Sequence, residues 1–274
     1  MNYRIIASDL DGTLLDNHSA ISEENFAAIH RFAEMGGFFV PCTGRTLCEL
    51  RRDLRDNPDV RYIIHSNGAV VYDKQTKKRV VHGLSRAKIA SILAAVEGKS
   101  VHFTVRHEGQ SVIDAALPVN EETVSRYCFG EGHTDVLRNY AVYQENFMEW
   151  LSSLDNVEGV TVFFEFMEEK EECRKRIAEE NQVQQAGSAP HSLEFSAKSA
   201  GKGNALLLLA DMLEIPHAET IGVGDSENDY TLIEKAGLGL AMGNAIDSLK
   251  SMAKGVICTN EEHAIDYIVK NYLH

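Results

Sequence analysis

The sequence predicts an α/β fold in which a parallel core sheet is interrupted by an inserted α+β domain. Three observations carry this expectation. Short apolar runs at Ile5–Ala7, Phe38–Val40, Thr220–Val223 and Gly237–Met242 are each bounded by turn residues, as buried strands are. Stretches of helical period follow the first of them, giving a strand–helix–strand unit whose strands pair in parallel. From about Gly83 to Pro190 the pattern becomes a mixture of helices and strands that carries no chemical motif. A chain of 274 residues is long for one hydrophobic core and comfortable for two domains. The expected division is core over 1–82, inserted domain over 83–190 and core again over 191–274.

Composition narrows the function. The chain carries 41 acidic against 27 basic residues, a net charge of −14, with no local basic patch. Nucleic acid and anionic membrane are therefore not expected as partners. An acidic protein acting on an anionic substrate needs a metal or a few focused cations to offset its own field. No run approaches the roughly 18 apolar residues of a membrane span, and Met1–Ser8 is too short for a secretory leader. The five cysteines (Cys42, Cys48, Cys128, Cys173, Cys258) are scattered and form no C-x-x-C pair. Zinc and a disulfide framework are not expected, and the reading is a cytoplasmic protein with reduced thiols.

The first strand runs into Asp9-Leu10-Asp11-Gly12-Thr13. Alternation along an extended backbone puts Asp9 and Asp11 on one side at the strand's carboxyl end, the edge where open α/β sheets bind ligands. Two carboxylates there could hold a hard cation, supply a nucleophile, or divide nucleophilic and acid–base roles. A calcium loop is excluded, because it needs glycine at its sixth position and glutamate at its twelfth. Here glycine falls at the fourth and Ala20 at the twelfth.

Ser22 can cap a helix reaching Met35, which Gly36-Gly37 ends. The next strand closes in Pro41-Cys42-Thr43-Gly44-Arg45. Thr43 could cap a helix over Leu47–Leu54 and equally bind phosphate, since a helix N-terminus offers free N–H groups. Strands at Tyr62–Ile64 and Ala69–Tyr72 flank His65-Ser66-Asn67-Gly68, in which Asn67-Gly68 reads as a hairpin turn.

In the inserted block, helices are expected over Ser85–Glu97, near Asn120–Cys128 and Gln144–Leu154, and over the charged stretch Glu168–Asn181. Strands are expected at Val101–Arg106, Ser111–Ala115 and Gly159–Phe166. Core character is expected to return at Ser192–Phe195.

Gly201-Lys202-Gly203 then opens a helix, a setting in which a lysine can meet an anion, with Lys198 as its rival. It is not a P-loop, because Gly203 stands where Ser or Thr is required. The strand Thr220–Gly224 ends in Asp225-Ser226-Glu227-Asn228-Asp229. Ser226 and Asp229 form a capping-box pattern, and Asp225 repeats the placement of Asp9. A short last strand at Val256-Ile257 and a helix over Glu261–Tyr272 complete the chain.

Asp9, Asp11 and Asp225 together would repel one another unless a divalent cation sat among them. Mg²⁺ suits few carboxylates with water and phosphate oxygens, and Thr43 and Lys202 could take the oxygens it does not reach.

These segments in this order resemble the haloacid dehalogenase-like phosphohydrolases, specifically the Cof-type branch with a subclass IIB cap. Asp9-Leu10-Asp11-Gly12-Thr13 matches the first family motif and Thr43-Gly44-Arg45 the second. Lys202-Gly203-Asn204-Ala205-Leu206 matches the third, which favours Lys202 over Lys198, and Gly224-Asp225-Ser226-Glu227-Asn228-Asp229 the fourth. Asn67-Gly68-Ala69 and Met242-Gly243-Asn244-Ala245 resemble secondary features of the branch. One departure is Glu262-His263-Ala264, where relatives often carry Asp-Gly.

The resemblance implies a Rossmann-like core with an α+β cap of type C2B. It implies that Asp9 is the nucleophile, forming an aspartyl-phosphate, and that Asp11 is the acid–base. Mg²⁺ would be held by Asp9, the Asp11 carbonyl and Asp225. Lys202, Thr43, the Gly44 N–H and Asn228 would bind phosphate, with Asp229 supporting them. The expected activity is dephosphorylation of a small phosphorylated metabolite, a sugar phosphate or cofactor-like molecule. The alternatives are a phosphomutase and a non-catalytic phospholigand-binding protein.

Overall fold

Ile5–Ser8, buried at every residue, lies inside a five-stranded parallel sheet. The strand order is Gly255–Val256, Leu238–Ala241, Thr220–Gly224, Ile5–Ser8, Phe38–Pro41. The computed structural model describes residues 2–181, 183–187 and 189–273. Its contacts divide into two units: Met1–Arg45, Leu50–Val80 and Ala200–His274 in one, Thr46–Glu49 and Val81–Ser199 in the other.

In the first unit the chain leaves Ile5–Ser8 towards Phe38–Pro41 on one side, and Thr220–Gly224 takes the other side. Ser8 is level with Val223, so the two strands end together. This change in the order in which strands are added on either side of Ile5–Ser8 opens the crevice in which α/β sheets bind ligands. Helix Glu23–Glu34 begins where the Ser22 hydroxyl accepts the Asn25 N–H at 3.2 Å, and it buries Ala28, Ile29 and Phe32. Helix Lys202–Met212 buries Leu206 and Leu209 in a cluster with Ile5, Val40 and Ile64. Tyr62–His65 and Val70–Asp73 form an antiparallel hairpin, as Asn67-Gly68 predicted, and Lys78–Val81 adds a third strand.

The second unit is built on a six-stranded mixed sheet in the order Val183–Ala186, Ser192–Ala197, Gly159–Phe164, Val101–His107, Gln110–Asp114, Val142–Gln144. Phe103, Val105, Val160, Val162 and Phe164 pack on one side with Ile89 and Ile92 of helix Arg86–Ala95 and Cys173 and Ile177 of helix Met167–Glu180. Ile113 and Phe163 meet Tyr127, Phe129 and Leu137 in a separate cluster, as the two-residue alternation of strands requires. The charged helix is thus solvated except along Lys170, Cys173 and Ile177, one turn apart or two.

Two expectations need correction. Ser192–Ala197 does not return to the core sheet: Leu193 pairs with Val162 and Phe195 with Val160, antiparallel, and the units divide between Ser199 and Ala200 rather than at 190. A short apolar alternation reads as a strand in either sheet, and only its partner decides. The helix expected over Leu47–Leu54 is instead a 3-10 turn, Leu47–Glu49, and a single turn, Arg52–Arg55. The Cys48 N–H goes to the Gly109 carbonyl at 3.0 Å, and Glu49 takes the Thr46 N–H at 2.9 Å and the Ser111 hydroxyl at 2.5 Å. Those bonds replace the i to i−4 ladder a longer helix would need. Helix Glu131–Tyr140 and the edge strands Lys78–Val81, Val142–Gln144 and Val183–Ala186 were not anticipated. Among the described residues no helix is long and apolar enough to cross a membrane.

Candidate active site

Three strand ends and one helix start meet in the first unit. Asp9 follows the first strand, and its N–H still donates to the Val223 carbonyl at 3.0 Å, continuing the ladder. Its side chain is therefore pinned beside the end of Thr220–Gly224, where Asp225 and Asp229 begin the next loop. One carboxylate oxygen from each of Asp9, Asp225 and Asp229 lies within 4.8 Å of the others.

Lys202, the first residue of its helix, is fully buried beneath this cluster. Its ammonium donates to Asp9 Oδ1 at 2.6 Å and to Asp229 Oδ1 at 2.6 Å. Lys198, the rival, belongs to the second unit, where its ammonium donates to Asn181 Oδ1 at 2.5 Å. Asp229 Oδ2 accepts the N–H groups of Asp225 at 3.0 Å and Ser226 at 3.1 Å, so both its oxygens are engaged in holding the loop and the lysine. Asp225 Oδ1 accepts from the Thr13 hydroxyl at 3.2 Å. Gly12 is required beside it: its φ is +78°, and a Cβ there would stand 2.5 Å from Asp225 Oδ2.

Electrostatics follow from burial. Removal from water pushes the Asp9 carboxyl up to about 7, against the opposing pull of Lys202. Burial, and then the neighbouring Asp229 charge, raise Asp225 as well. Burial works against the Lys202 charge, but Asp9 and Asp229 outweigh it and hold its pKa above the ordinary lysine value. One ammonium thus faces three carboxylates. The all-oxygen donor set and this uncompensated charge fit a hard divalent cation held by Asp9 and Asp225, with Asp229 already committed to Lys202 and the loop.

Asp11 stands apart from that cluster. Its side chain is 57 % exposed and is gripped by Arg45, whose Nη2 donates to Oδ1 at 2.6 Å and Nε to Oδ2 at 2.9 Å. Its carboxylate is thus not among the clustered oxygens expected for the metal. Arg45 follows directly on Thr43-Gly44 in sequence, which places it at this edge but does not reveal Asp11 as its partner.

Thr43 is buried, and its Oγ1 accepts the Arg45 N–H at 3.1 Å, so it shapes the loop containing Gly44. Asn228 is exposed at the cluster's rim, where its Oδ1 accepts from the Ser226 hydroxyl at 2.8 Å and its Nδ2 donates to Asn67 Oδ1 at 3.2 Å. The arrangement sets a buried carboxylate against a buried ammonium beside an acidic cluster that could hold a cation, a combination suited to phosphoryl transfer.

A profile of haloacid dehalogenase-like hydrolases matches residues 6–269. The chain belongs to the haloacid dehalogenase-like hydrolase family. Phosphatase YwpJ of Bacillus subtilis (strain 168) is 30% identical over 284 aligned residues, covering 98% of this chain and 100% of that protein. The 5-amino-6-(5-phospho-D-ribitylamino)uracil phosphatase YwtE of the same strain is 28% identical, covering 98% of each chain. In fold the chain is similar to the HAD subclass IIB sugar phosphatase BT4131, with a TM-score of 0.78, 21% identity and 98% of each chain covered. This family member is a phosphatase, with a parallel core sheet and an inserted mixed-sheet cap as in subclass IIB. The Cof-type reading of its motifs and the α/β class both stand.

Proposed function

We propose that this enzyme hydrolyses a small phosphorylated metabolite, a sugar phosphate or cofactor-like molecule, through an aspartyl-phosphate on Asp9 with Mg²⁺ as cofactor. The observation that carries the reading is the Lys202–Asp9 contact of 2.6 Å beside Asp225, at the carboxyl ends of two adjacent parallel strands.

Asp9 Oδ1 is bound by the ammonium, which orients the carboxylate and favours its ionised form. Its second oxygen is left to attack phosphorus in line with the leaving oxygen. Asp11 protonates that leaving oxygen, then takes a proton from the water that attacks the aspartyl-phosphate. Arg45 donates to both Asp11 carboxylate oxygens, so one of these bonds opens before Asp11 carries the proton it gives to the leaving oxygen. The Gly44 N–H, the Thr43 hydroxyl, Asn228 and Lys202 bind phosphoryl oxygens. Asp229 keeps the Asp225 loop and Lys202 in register. Asp9, Asp225 and the Asp11 carbonyl would hold Mg²⁺, which would supply charge neutralisation for the phosphoryl oxygens and the nucleophile.

The substrate class is supported by the name of the Bacillus relative, a 5-amino-6-(5-phospho-D-ribitylamino)uracil phosphatase, and by the buried Lys202 ammonium set among carboxylates in an acidic chain. The test is phosphate release with and without Mg²⁺ across a panel of hexose phosphates, pentose phosphates, phosphorylated pyrimidines and p-nitrophenyl phosphate. Mg²⁺-dependent release is expected, with discrimination among metabolites. Absence of release from every member, at saturating Mg²⁺, would overturn the reading.

A further inference from the structure

The turn between the strands Tyr62–His65 and Val70–Asp73 is more than a hairpin connection. Asn67 sits in it at φ 55°, ψ 35°, a left-handed conformation that asparagine tolerates better than most residues. Its N–H donates to the Thr43 carbonyl at 3.0 Å. Its side chain packs on Gly44, where an added Cβ would stand 2.8 Å from Asn67 Oδ1. The next residue, Gly68, has φ +83°, and a Cβ there would stand 2.3 Å from the Gly201 carbonyl group. The turn is thus wedged between the Thr43-Gly44 loop and the start of the Lys202 helix.

Hairpin geometry alone would leave the Asn67 amide free to point anywhere. Instead its Oδ1 accepts Asn228 Nδ2 at 3.2 Å, while the Ser226 hydroxyl donates to Asn228 Oδ1 at 2.8 Å. Asn228 is otherwise an exposed side chain on a short loop. The two bonds fix its amide plane from opposite sides. An amide nitrogen carries two hydrogens, so one remains for a ligand once Asn67 has taken the other.

We infer that Asn67 is a positioning residue for the phosphoryl site: it orients Asn228 so that its second N–H meets a phosphate oxygen. This rests on the reading of Asn228 as a phosphate ligand given above. Loss of one such orienting hydrogen bond corresponds to roughly three- to tenfold in ligand affinity.

The test is a double-mutant cycle on the Mg²⁺-loaded full chain, with Asn67→Gly, Asn228→Ala and the double variant. Glycine suits the left-handed backbone of residue 67, so the turn is kept while the amide is removed. The readouts are the inhibition constant of inorganic phosphate, kcat/KM on an alkyl and an aryl phosphate, and the melting temperature. Asn67→Gly is expected to weaken phosphate roughly three- to tenfold, equally for both substrates, with the melting temperature held. In the Asn228→Ala background the same change should have no further effect. An effect of equal size in both backgrounds would overturn the inference, because Asn67 would then act directly or through the fold. So would an unchanged phosphate constant in Asn67→Gly alone. If Asn228→Ala left phosphate binding intact while activity remained Mg²⁺-dependent, the fault would lie in the Asn228 assignment, and the inference would fall with it, not the phosphatase reading.

Discussion

Lys202 Nζ lies 2.6 Å from Asp9 Oδ1, with the lysine fully buried and the aspartate only 4% exposed. A contact of this kind is weak evidence for net stability, but breaking it from one side is costly. Lys202→Met would leave Asp9 and Asp229 buried without their cation. A loss of roughly 3–5 kcal/mol of folding stability is expected, together with loss of detectable turnover. Chemical denaturation and phosphate release check the two effects separately. Wild-type stability in this variant would mean that the carboxylates discharge by protonation at little cost.

Asp225→Asn should behave in the opposite way for stability. Burial and the Asp229 charge both disfavour the Asp225 carboxylate, so neutralising it relieves the metal-free protein. We expect activity to vanish while the melting temperature without metal is held or raised. Wild type should gain about 2.7 kcal/mol at 100 times the dissociation constant of Mg²⁺, and Asp225→Asn should gain none at the same concentration. Thermal melts in EDTA and in Mg²⁺ measure this. A metal shift retained by the variant would remove Asp225 from the cation site.

Much of the site was legible because its residues sit at strand ends, where short apolar runs announce themselves. Asp9 and Asp225 follow two such runs, and strands that pair in parallel must bring their ends together. What could not be read was pairing that depends on distant partners. Ser192–Ala197 alternates as a core strand would, yet its partner is Gly159–Phe164. Arg45 and Asn67 were visible as residues, but their bonds to Asp11 and Asn228 span loops with no periodicity to reveal them. Helix Glu131–Tyr140 buries only Thr134 and Leu137, too sparse an apolar stripe to stand out from polar sequence.

The inserted unit should lose stability in acid. His133 packs against Phe129 and Phe163 at 5.4 and 4.6 Å, and burial lowers its pKa from 6.5 to about 4, with His102 adding repulsion. Burial lowers His102 too. The folded state therefore binds fewer protons than the unfolded chain between these values. Stability from His133 is complete above about pH 6.5 and is lost as pH falls towards about 4, at up to about 1.4 kcal/mol per pH unit. Trp150, the single tryptophan, lies in this unit and reports its unfolding by fluorescence. Denaturation at pH 7, 5.5 and 4.5 should show the slope in wild type and a shallower one in His133→Gln. Equal slopes would clear His133 of the effect.

His263→Gly should stabilise the core unit or leave it unchanged. His263 has φ +60° at the start of helix Ala264–Tyr272, at the position where the Glu262-His263-Ala264 departure falls. A left-handed non-glycine residue carries a strain of about 1–2 kcal/mol, which the greater freedom of glycine in the unfolded chain offsets in part. Its ion pair with Glu24, at 3.7 Å between exposed side chains, contributes little. A gain of up to about 1 kcal/mol in thermal or chemical melts is expected. A loss of that size would mean that His263 makes a contact worth more than its strain.

In the proposed mechanism Asp9 and Asp11 divide nucleophilic and acid–base work. Rapid-mixing kinetics on Asp9→Asn and Asp11→Asn, with an alkyl phosphate and p-nitrophenyl phosphate, test it most directly. Asp9→Asn should fail by a similar factor on both substrates. Asp11→Asn should lose roughly 10²–10⁴ on the alkyl phosphate, whose alkoxide needs a proton to leave. With p-nitrophenyl phosphate it should release a burst of nitrophenol, one per enzyme, followed by slow turnover as the aspartyl-phosphate waits for a base. No burst in Asp11→Asn, with equal losses on both substrates, would contradict the division of roles between the two aspartates.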